Sequence, residues 1–289
     1  MGVAAVEGQR ARLRDGRWLG YADHGPRGGV PLFVLPGMPG SRLLARHTRR
    51  PADDLGLRII ALDRPGIGLS DPRPGRTLRD TASDVADIAD LLEFDHFFVI
   101  GVSAGGPHAL ACALEMPERV WRVALVSSLA SPEGVTPRRQ GTPASNLRPR
   151  MLQHAGDGGG RRPPPGFMLR EMERASPPSD RRILTRPDVR ELLLAAGEEA
   201  FRVGTQAVVD EGRLTAGTWG FRPADVVVEV LLWHGEQDVT VPVEAARALA
   251  AALPRCNAVF LPGAGHLWHF EHVADVLSAL TNGARGSNG

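Results

Sequence analysis

Short, continuously apolar segments recur along the first half of the chain, and stretches with helical periodicity separate them. The apolar segments are predicted to be strands: Pro31–Leu35, Leu57–Leu62, Phe97–Val102 and Val120–Val126. A continuous apolar run, rather than alternation, is typical of a parallel strand that is covered by helices on both faces. Helices are predicted over Leu78–Leu92 and Ser103–Met116. This half of the chain therefore predicts a doubly wound α/β fold with right-handed crossovers.

A tight turn precedes these strands. The segments Arg10–Arg14 and Arg17–Tyr21 flank the dipeptide Asp15-Gly16. Because Asp-Gly readily adopts the left-handed conformations of a two-residue turn, the two segments predict a β-hairpin.

The alternation of strands and helices is interrupted between residues 131 and 222. The stretch 131–166 is dense in proline, glycine and arginine, and no strand can be drawn through it. Helical periodicity then returns without strands, in three predicted segments: Phe167–Arg174, Arg181–Leu184 and Val189–Asp210. A long irregular stretch inside a compact domain is usually a lid or is mobile. We therefore predict an α/β core of residues 1–130 and 223–289 and a helical cap over 131–222 that includes a flexible stretch.

The strand and helix pattern resumes after Pro223. Strands are predicted over Val226–Trp233 and Asn257–Leu261, and helices over Val243–Leu253 and Leu267–Leu280. The predicted fold class is thus α/β, with a doubly wound, mostly parallel sheet and a helical cap insertion.

The composition is that of a globular protein. Of the 289 residues, 43% are hydrophobic and 23% are charged, which excludes wholesale disorder. The net charge of +1 argues against a dedicated nucleic-acid-binding protein, which normally has a strong basic excess. Cys112 and Cys256 cannot form a disulfide framework for a chain this large, and no Cys/His cluster has zinc-ligand spacing. We therefore expect no metal site, and the chemistry predicted below requires no organic cofactor.

Neither a membrane span nor a signal peptide is indicated. The apolar run Val226–Trp233 is interrupted by Glu229 and falls far short of the roughly 20 residues of a membrane helix. The segment Met1–Arg14 contains no apolar stretch of the signal-peptide type. We expect a cytoplasmic protein that acts on a small molecule, without a nucleic-acid or membrane partner; the sequence does not indicate an oligomeric state.

The strongest chemical signal is the pentapeptide Gly101-Val102-Ser103-Ala104-Gly105. It directly follows a predicted strand and directly precedes a predicted helix, which is the context that a nucleophile elbow requires. Small neighbours allow the strand and the helix to pass close together, and the free N–H groups of the helix N-terminus can bind a developing oxyanion. Ser103 is therefore the candidate nucleophile.

A serine nucleophile needs a base, and the base needs an orienting carboxylate. His266 lies in a glycine-rich loop after a predicted strand, and Asp238 lies in the loop after the preceding strand. The order Ser103, Asp238, His266 is the order expected of an α/β hydrolase. The local competitors are Glu236 for the acid and His269 for the base, and both are more easily explained as solvated or packed side chains.

Three further segments match motifs of a known group: Leu35–Ser41, Asp63–Asp71 and Trp233–Pro242. Together with the elbow, they make the chain resemble α/β-hydrolase-fold proteins of the esterase, haloperoxidase-like and proline-iminopeptidase-like group. The resemblance covers about residues 10–130 and 223–282. It is highly specific for the fold and weakly specific for the substrate.

The resemblance also implies an oxyanion hole. It assigns this role to the backbone N–H groups of Met38 and Ala104. The group commonly has His-Gly where this chain has Pro36-Gly37, and that histidine often braces the loop. Met38 nevertheless keeps its backbone donor.

These residues predict a serine hydrolase that cleaves an ester-type acyl bond of a small, apolar substrate through an acyl-enzyme. The same three side chains could serve an aminopeptidase or amidase, a carbon–carbon bond hydrolase or an acyltransferase. A ligand-binding protein that kept the fold without turnover is the alternative outside enzymes.

Substrate contacts are expected from the cap. Five apolar cap residues could line an acyl pocket or form the cap's own core: Phe167, Met168, Phe201, Trp219 and Phe221. Four glutamates could hold the ammonium group of an aminopeptidase substrate or simply be solvated: Glu171, Glu173, Glu198 and Glu199. Six arginines could bind an acidic substrate, although a solvated loop is favoured: Arg138, Arg139, Arg148, Arg150, Arg161 and Arg162.

Overall fold

A computed structural model describes residues 6–130, 164 and 166–282 of the chain. Eight strands form one sheet: β1 (Val6–Arg12), β2 (Trp18–His24), β3 (Val30–Leu35), β4 (Leu57–Leu62), β5 (Phe97–Val102), β6 (Val120–Val126), β7 (Val230–Gly235) and β8 (Cys256–Leu261). The strand order is β1-β2-β4-β3-β5-β6-β7-β8. The pairs β1–β2 and β2–β4 are antiparallel, and the other neighbours are parallel.

Nine α-helices occur in the described part of the chain: α1 (Arg49–Leu55), α2 (Asp80–Leu91), α3 (Gly105–Glu115), α4 (Phe167–Ala175), α5 (Pro178–Leu184), α6 (Pro187–Ala200), α7 (Gln206–Ala216), α8 (Val243–Ala252) and α9 (His269–Thr281). Two 3₁₀ helices cover Arg42–Thr48 and Pro223–Asp225. None of the described helices is long and apolar enough to cross a membrane.

Apolar side chains fill both faces of the sheet. On one face, Phe33 and Val123 pack with residues of α2 and α3. On the other face, Ile59 and Phe98 pack with Leu277 of α9. Because each central strand is buried on both sides, its sequence is continuously apolar rather than alternating. The prediction of a doubly wound, mostly parallel sheet is confirmed.

Several element boundaries differ from the prediction. The strand expected from Val226 begins only at Val230, because the chain at Val227 is still exposed and pairing with β6 and β8 starts at Val230. The single helix expected over 189–210 is divided into α6 and α7 by a break that contains Gly204, whose φ of 148° is incompatible with a helix. The 3₁₀ helix and α1 between β3 and β4 were not predicted.

We call α4–α7 the cap helices, after the predicted cap, and three of them, α4–α6, share a small apolar cluster. Leu169, Ile183, Leu184 and Val189 pack together with Leu267, which lies beside the candidate base. Residues 166–222 contain no strand. The division into core and cap remains a prediction, and the Pro/Gly/Arg-rich stretch with its six arginines lies outside the described residues, apart from Pro164 and Gly166.

Candidate active site

Ser103 lies on a sharp turn between β5 and α3. Its φ of 52° is in the left-handed region that non-glycine residues rarely adopt. The turn is possible because its neighbours are small: a Cβ at Gly101 would lie 2.6 Å from the carbonyl oxygen of Gly105, and a Cβ at Gly105 would lie 2.0 Å from that of Leu35. These contacts place the serine at the carboxyl end of the central strands, as the elbow motif predicts.

The loops after β7 and β8 bring an aspartate and a histidine to the serine. The Nε2 atom of His266 lies 3.1 Å from Ser103 Oγ, and its Nδ1 atom lies 2.7 Å from Asp238 Oδ2. The other oxygen of Asp238 accepts hydrogen bonds from the backbone N–H groups of Thr240 and Val241, each at 2.8 Å. The backbone therefore fixes one oxygen of the carboxylate, and the other oxygen, which also lies 3.3 Å from Nε2 of His234, contacts the imidazole of His266.

The electrostatic surroundings favour a protonated form of His266. Burial lowers the pKa of the imidazole, but the charge and hydrogen bond of Asp238 and the charge of Asp180 together raise it above its ordinary value. An imidazolium that forms while the serine loses its proton is thus stabilised by two carboxylates.

The loop after β3 lies against the serine. A Cβ at Gly37 would approach Ser103 Cβ to 3.2 Å. The guanidinium of Arg64 donates hydrogen bonds to the carbonyl oxygens of Pro36 and, at 3.4 Å, of Gly37. Because the C=O and N–H of a trans peptide point in opposite directions, the N–H of Met38 is turned away from Arg64. Arg64 therefore braces the loop from which the family's usual histidine is absent.

A buried charge network holds Arg64 in place. Its Nε lies 2.9 Å from Oε1 of Glu211 in α7, a carboxylate that also pairs with Arg76 and lies 2.7 Å from Nε2 of His108. Burial alone would raise the pKa of Glu211, but the charges of Arg64, His108 and Arg76 hold it well below the ordinary value. The Nδ1 atom of His108 lies 2.6 Å from the hydroxyl of Thr81.

The remaining titratable candidates have other partners, although His234 also lies beside the candidate acid. The Nε2 atom of His234 lies 2.9 Å from the carbonyl oxygen of Val241 and 3.3 Å from Oδ2 of Asp238. Glu236 pairs with Arg247 at the surface, at 2.7 Å. His269 is packed against Phe270, and burial holds its pKa well below the ordinary value. Cys112 is fully buried, which raises the pKa of its thiol and disfavours the reactive thiolate.

Asp180 is a site residue that the sequence reasoning missed. It lies in the first turn of the cap helix α5, is only 1% exposed, and accepts hydrogen bonds from the backbone N–H groups of His266 at 2.8 Å and Leu267 at 2.9 Å. An aspartate near a helix start is common and signals nothing beyond that helix. Its contact with residues more than 80 positions away arises only in the folded chain.

Two small cavities, of about 120 and 90 Å³, open beside Ser103. Both are lined by Met38, Ser103 and His266, and the larger also by Ala104, Met168 and Asp180. A cavity of about 440 Å³ among the cap helices shares Pro39, Met168 and Met172 with the larger one, and Phe201 lies on its wall. Met168 thus lines the same cavity as the serine, whereas Phe201 lines only the largest of these three cavities.

The other predicted pocket residues lie elsewhere. Trp219 and Phe221 pack against the main core on the α2 and α3 face of the sheet and do not line these three cavities, which favours the core role over the pocket role among the two expected for them. After α7 ends, the chain places the rings of Trp219 and Phe221 against the apolar side chains on this face of the sheet. Phe167, at the start of α4, does not line the cavities either.

Three of the four cap glutamates are ion-paired with arginines: Glu171 with Arg174, Glu173 with Arg190, and Glu199 with Arg42 and Arg202. Glu198 lies on the wall of the outer cavity. Within the described ranges, no group of three or more histidine, cysteine, aspartate or glutamate residues could hold a metal ion.

Comparison with known proteins agrees with this fold. The model of the alpha/beta hydrolase fold family matches residues 30–273. The chain belongs to this family. It is similar to the dihydrolipoyllysine-residue acetyltransferase component of the acetoin cleaving system of Pseudomonas putida, with 29% identity over 93% of this chain and 66% of that protein. It is also similar to a non-heme chloroperoxidase of Streptomyces lividans, with 35% identity over 40% of this chain and 42% of that protein.

A solved relative shares the fold along nearly the whole chain. The esterase EaEST from Exiguobacterium antarcticum superposes with a TM-score of 0.72 at 18% identity, over 96% of this chain and 99% of that one. By contrast, the chain spans less than two thirds of the length of the two curated relatives. Family membership supports a hydrolase in general terms.

Proposed function

We propose that this alpha/beta hydrolase is a serine hydrolase that cleaves an ester-type acyl bond of a small, apolar substrate. The observation that carries the proposal is the continuous array in which Asp238 contacts His266 and His266 contacts Ser103. This array lines two cavities of about 120 and 90 Å³ through Ser103 and His266. A nucleophile, a base and an orienting acid in hydrogen-bond contact are the parts required for acyl transfer through a covalent intermediate.

The reaction would proceed in two halves. His266 takes the hydroxyl proton as Ser103 attacks the carbonyl carbon, and the N–H groups of Met38 and Ala104 bind the oxyanion. Collapse of the tetrahedral intermediate breaks the bond to the leaving group, which receives the proton from His266. Water then attacks the acyl-enzyme with the same histidine as base, and the acid is released.

The cavity walls support an uncharged substrate. The described residues that line the two cavities beside Ser103 include no arginine, and the carboxylate of Asp180 is already bound by two backbone N–H groups. Most of the remaining wall is apolar, with Met38, Met172 and Leu267 among its members. A charged group would lose hydration here without gaining a partner, which is costly.

Acyl transfer to a nucleophile other than water is the second candidate. The relative that aligns with 93% of the chain is named as an acetyltransferase component. The acyl-enzyme would be the same, and only the acceptor in the second half would differ. An aminopeptidase has less support, because three of the four cap glutamates are already paired with arginines.

Covalent labelling tests the proposal directly. The protein is treated with a small fluorophosphonate and its intact mass is measured, with Ser103→Ala and Ser128→Ala treated in parallel. Ser128 is a neighbouring serine whose hydroxyl donates to the carbonyl oxygen of Leu129 instead of contacting a base. We expect one adduct on the wild type and on Ser128→Ala, and none on Ser103→Ala.

The opposite result is equally informative. A folded wild type that takes no adduct would contradict the serine mechanism and favour a ligand-binding role. An adduct that persists in Ser103→Ala would contradict the assignment of Ser103 as the nucleophile. If labelling succeeds, a panel of short acyl esters with and without a thiol or amine acceptor distinguishes hydrolysis from transfer.

A further inference from the structure

A cap carboxylate is built into the loop that carries the candidate base. Asp180 uses both of its oxygens: Oδ2 accepts the backbone N–H of His266 at 2.8 Å, and Oδ1 accepts that of Leu267 at 2.9 Å. Two hydrogen bonds from consecutive amides fix both the position and the orientation of this piece of backbone. The imidazole of His266 leaves the chain at this point.

The loop is shaped to receive this carboxylate. A Cβ at Gly265 would lie 2.3 Å from Oδ1 of Asp180, and the three atoms nearest to that Cβ all belong to the Asp180 carboxyl group. A side chain at position 265 and the carboxylate at position 180 therefore compete for the same space. The absence of a side chain at Gly265 is what lets the cap reach the base loop.

Several titratable groups surround the base. Asp238 contacts the imidazole itself, Asp180 contacts the backbone of His266, and His234 and His269 lie close enough to interact with its charge. The two histidines are buried and have lowered pKa values, so they are neutral near pH 7. The pKa of Asp180 itself is raised by burial, against the opposing effect of the two amides and of His266.

We propose that Asp180 is a positioning residue for the base: it ties the cap helix α5 to the His266 loop, and its negative charge stabilises the imidazolium that forms when Ser103 attacks. The proposal rests on the proposed function, because it assigns Asp180 to the same serine mechanism. According to this proposal, catalysis requires α5 to remain packed against the His266 loop. If α5 moved away, the backbone N–H groups of His266 and Leu267 would lose their hydrogen bonds to Asp180, and the base would no longer be held in position.

The rate of fluorophosphonate labelling as a function of pH tests this role. The wild type is compared with Asp180→Asn, with Asp180→Ala, which introduces no new donor facing the amides, and with Asp188→Asn. Asp188 is an acidic cap residue that pairs at the surface with Arg186 and serves as the matched control. The wild type and Asp188→Asn should label at the same rate, with the same midpoint of the acidic limb.

Both Asp180 variants should differ in two respects. Loss of the negative charge lowers the pKa of His266, so the midpoint of the acidic limb should move down by about half a pH unit or more. Loss of the two anchoring bonds misplaces the base, so the plateau rate should fall by about tenfold or more. A residue that only supported the fold would not move the midpoint.

A double-mutant cycle tests the contact without relying on activity. Gly265→Ala should destabilise the wild-type protein in urea denaturation, and it should cost much less in the Asp180→Ala background, because the competing carboxylate is then absent. Equal costs in the two backgrounds would overturn the contact, and an unchanged midpoint and plateau in both Asp180 variants would overturn the positioning role. Failure of the wild type to label would instead refute the proposed function, and the cycle would still report on the contact.

Discussion

Two carboxylates extend from the cap into the core, and they are held by opposite means. Glu211 of α7 meets three basic side chains, Arg64, Arg76 and His108, and lies in a fully buried charge network. Asp180 of α5 instead accepts hydrogen bonds from two backbone N–H groups of the base loop. Charge neutralisation lowers the pKa of Glu211, whereas burial raises that of Asp180.

The different partners of Glu211 and Asp180 suit them to different roles, one in stability and one in positioning the base. A carboxylate surrounded by cations is an anchor, because removing it leaves unpaired buried charge. A carboxylate held by amide dipoles is not neutralised by a cationic side chain, so its negative charge can act on a neighbouring group, and here that group is His266. Through Arg64 the first carboxylate is also connected to the loop after β3, whereas the second contacts the His266 loop, so the two carboxylates support different loops beside Ser103.

The largest effect is expected from Glu211→Gln. This change leaves two guanidinium groups buried without their counter-charge, and the free energy of unfolding should fall by about 3–5 kcal/mol in urea denaturation. Asp210→Asn, on the same helix at an exposed pair with Arg213, should change it by less than about 0.5 kcal/mol. Because the pKa of Glu211 lies well below the ordinary value, its contribution is present above about pH 4.5 and is lost as the pH falls below it. A difference between wild type and variant that did not shrink on acidification would contradict the network.

A smaller and more local effect is expected from Arg64→Met. Arg64 and Arg76 both pair with Glu211, but of the two, only Arg64 is seen to donate to the carbonyls of Pro36 and Gly37. Removing it should slow fluorophosphonate labelling of Ser103 by about tenfold to a hundredfold, since loss of one oxyanion donor typically costs 10²–10³ in rate. Arg76→Met should disturb stability with little effect on labelling. Equal labelling rates in the two variants would show that the loop needs no brace.

The smallest effect is expected in the stability of Asp180→Ala as a function of pH. The pKa of Asp180 is raised in the folded state, so this group binds more protons in the folded than in the unfolded chain. Its contribution to the free energy of unfolding therefore falls as the pH rises from about 3.8 through the folded-state pKa. The stability difference between wild type and variant should decrease in that direction, opposite to the trend for Glu211→Gln. If the stability differences of Asp180→Ala and Glu211→Gln changed with pH in the same direction, the two carboxylates would not differ in the way described.

Parts of the fold and site could be predicted because they are local in the chain. The continuous apolar strands, the elbow around Ser103 and the loops of Asp238 and His266 each have a signature within about ten residues. Parallel strands direct their carboxyl ends to one edge of the sheet, so these three loops had to converge there. The role of the three side chains in catalysis stays a prediction until labelling is done.

Other features could not be predicted, because they depend on contacts between distant segments. Trp219 and Phe221 are as apolar as any pocket residue, and only packing decides that they cover the core rather than a cavity. The break between α6 and α7 at Gly204 interrupts a pattern that reads as one helix.

The sequence by itself determined the family, the sheet and the positions of a candidate nucleophile, acid and base, because periodicity and short motifs reflect backbone geometry within one element. Tertiary structure alone decided that Arg64 donates to a carbonyl oxygen of the loop after β3, that the carboxylate of Glu211 neutralises Arg64, and that Asp180 accepts the backbone N–H of His266. A buried charge shows no partner in its own segment, since the partner is chosen by the packing of elements far apart in the chain.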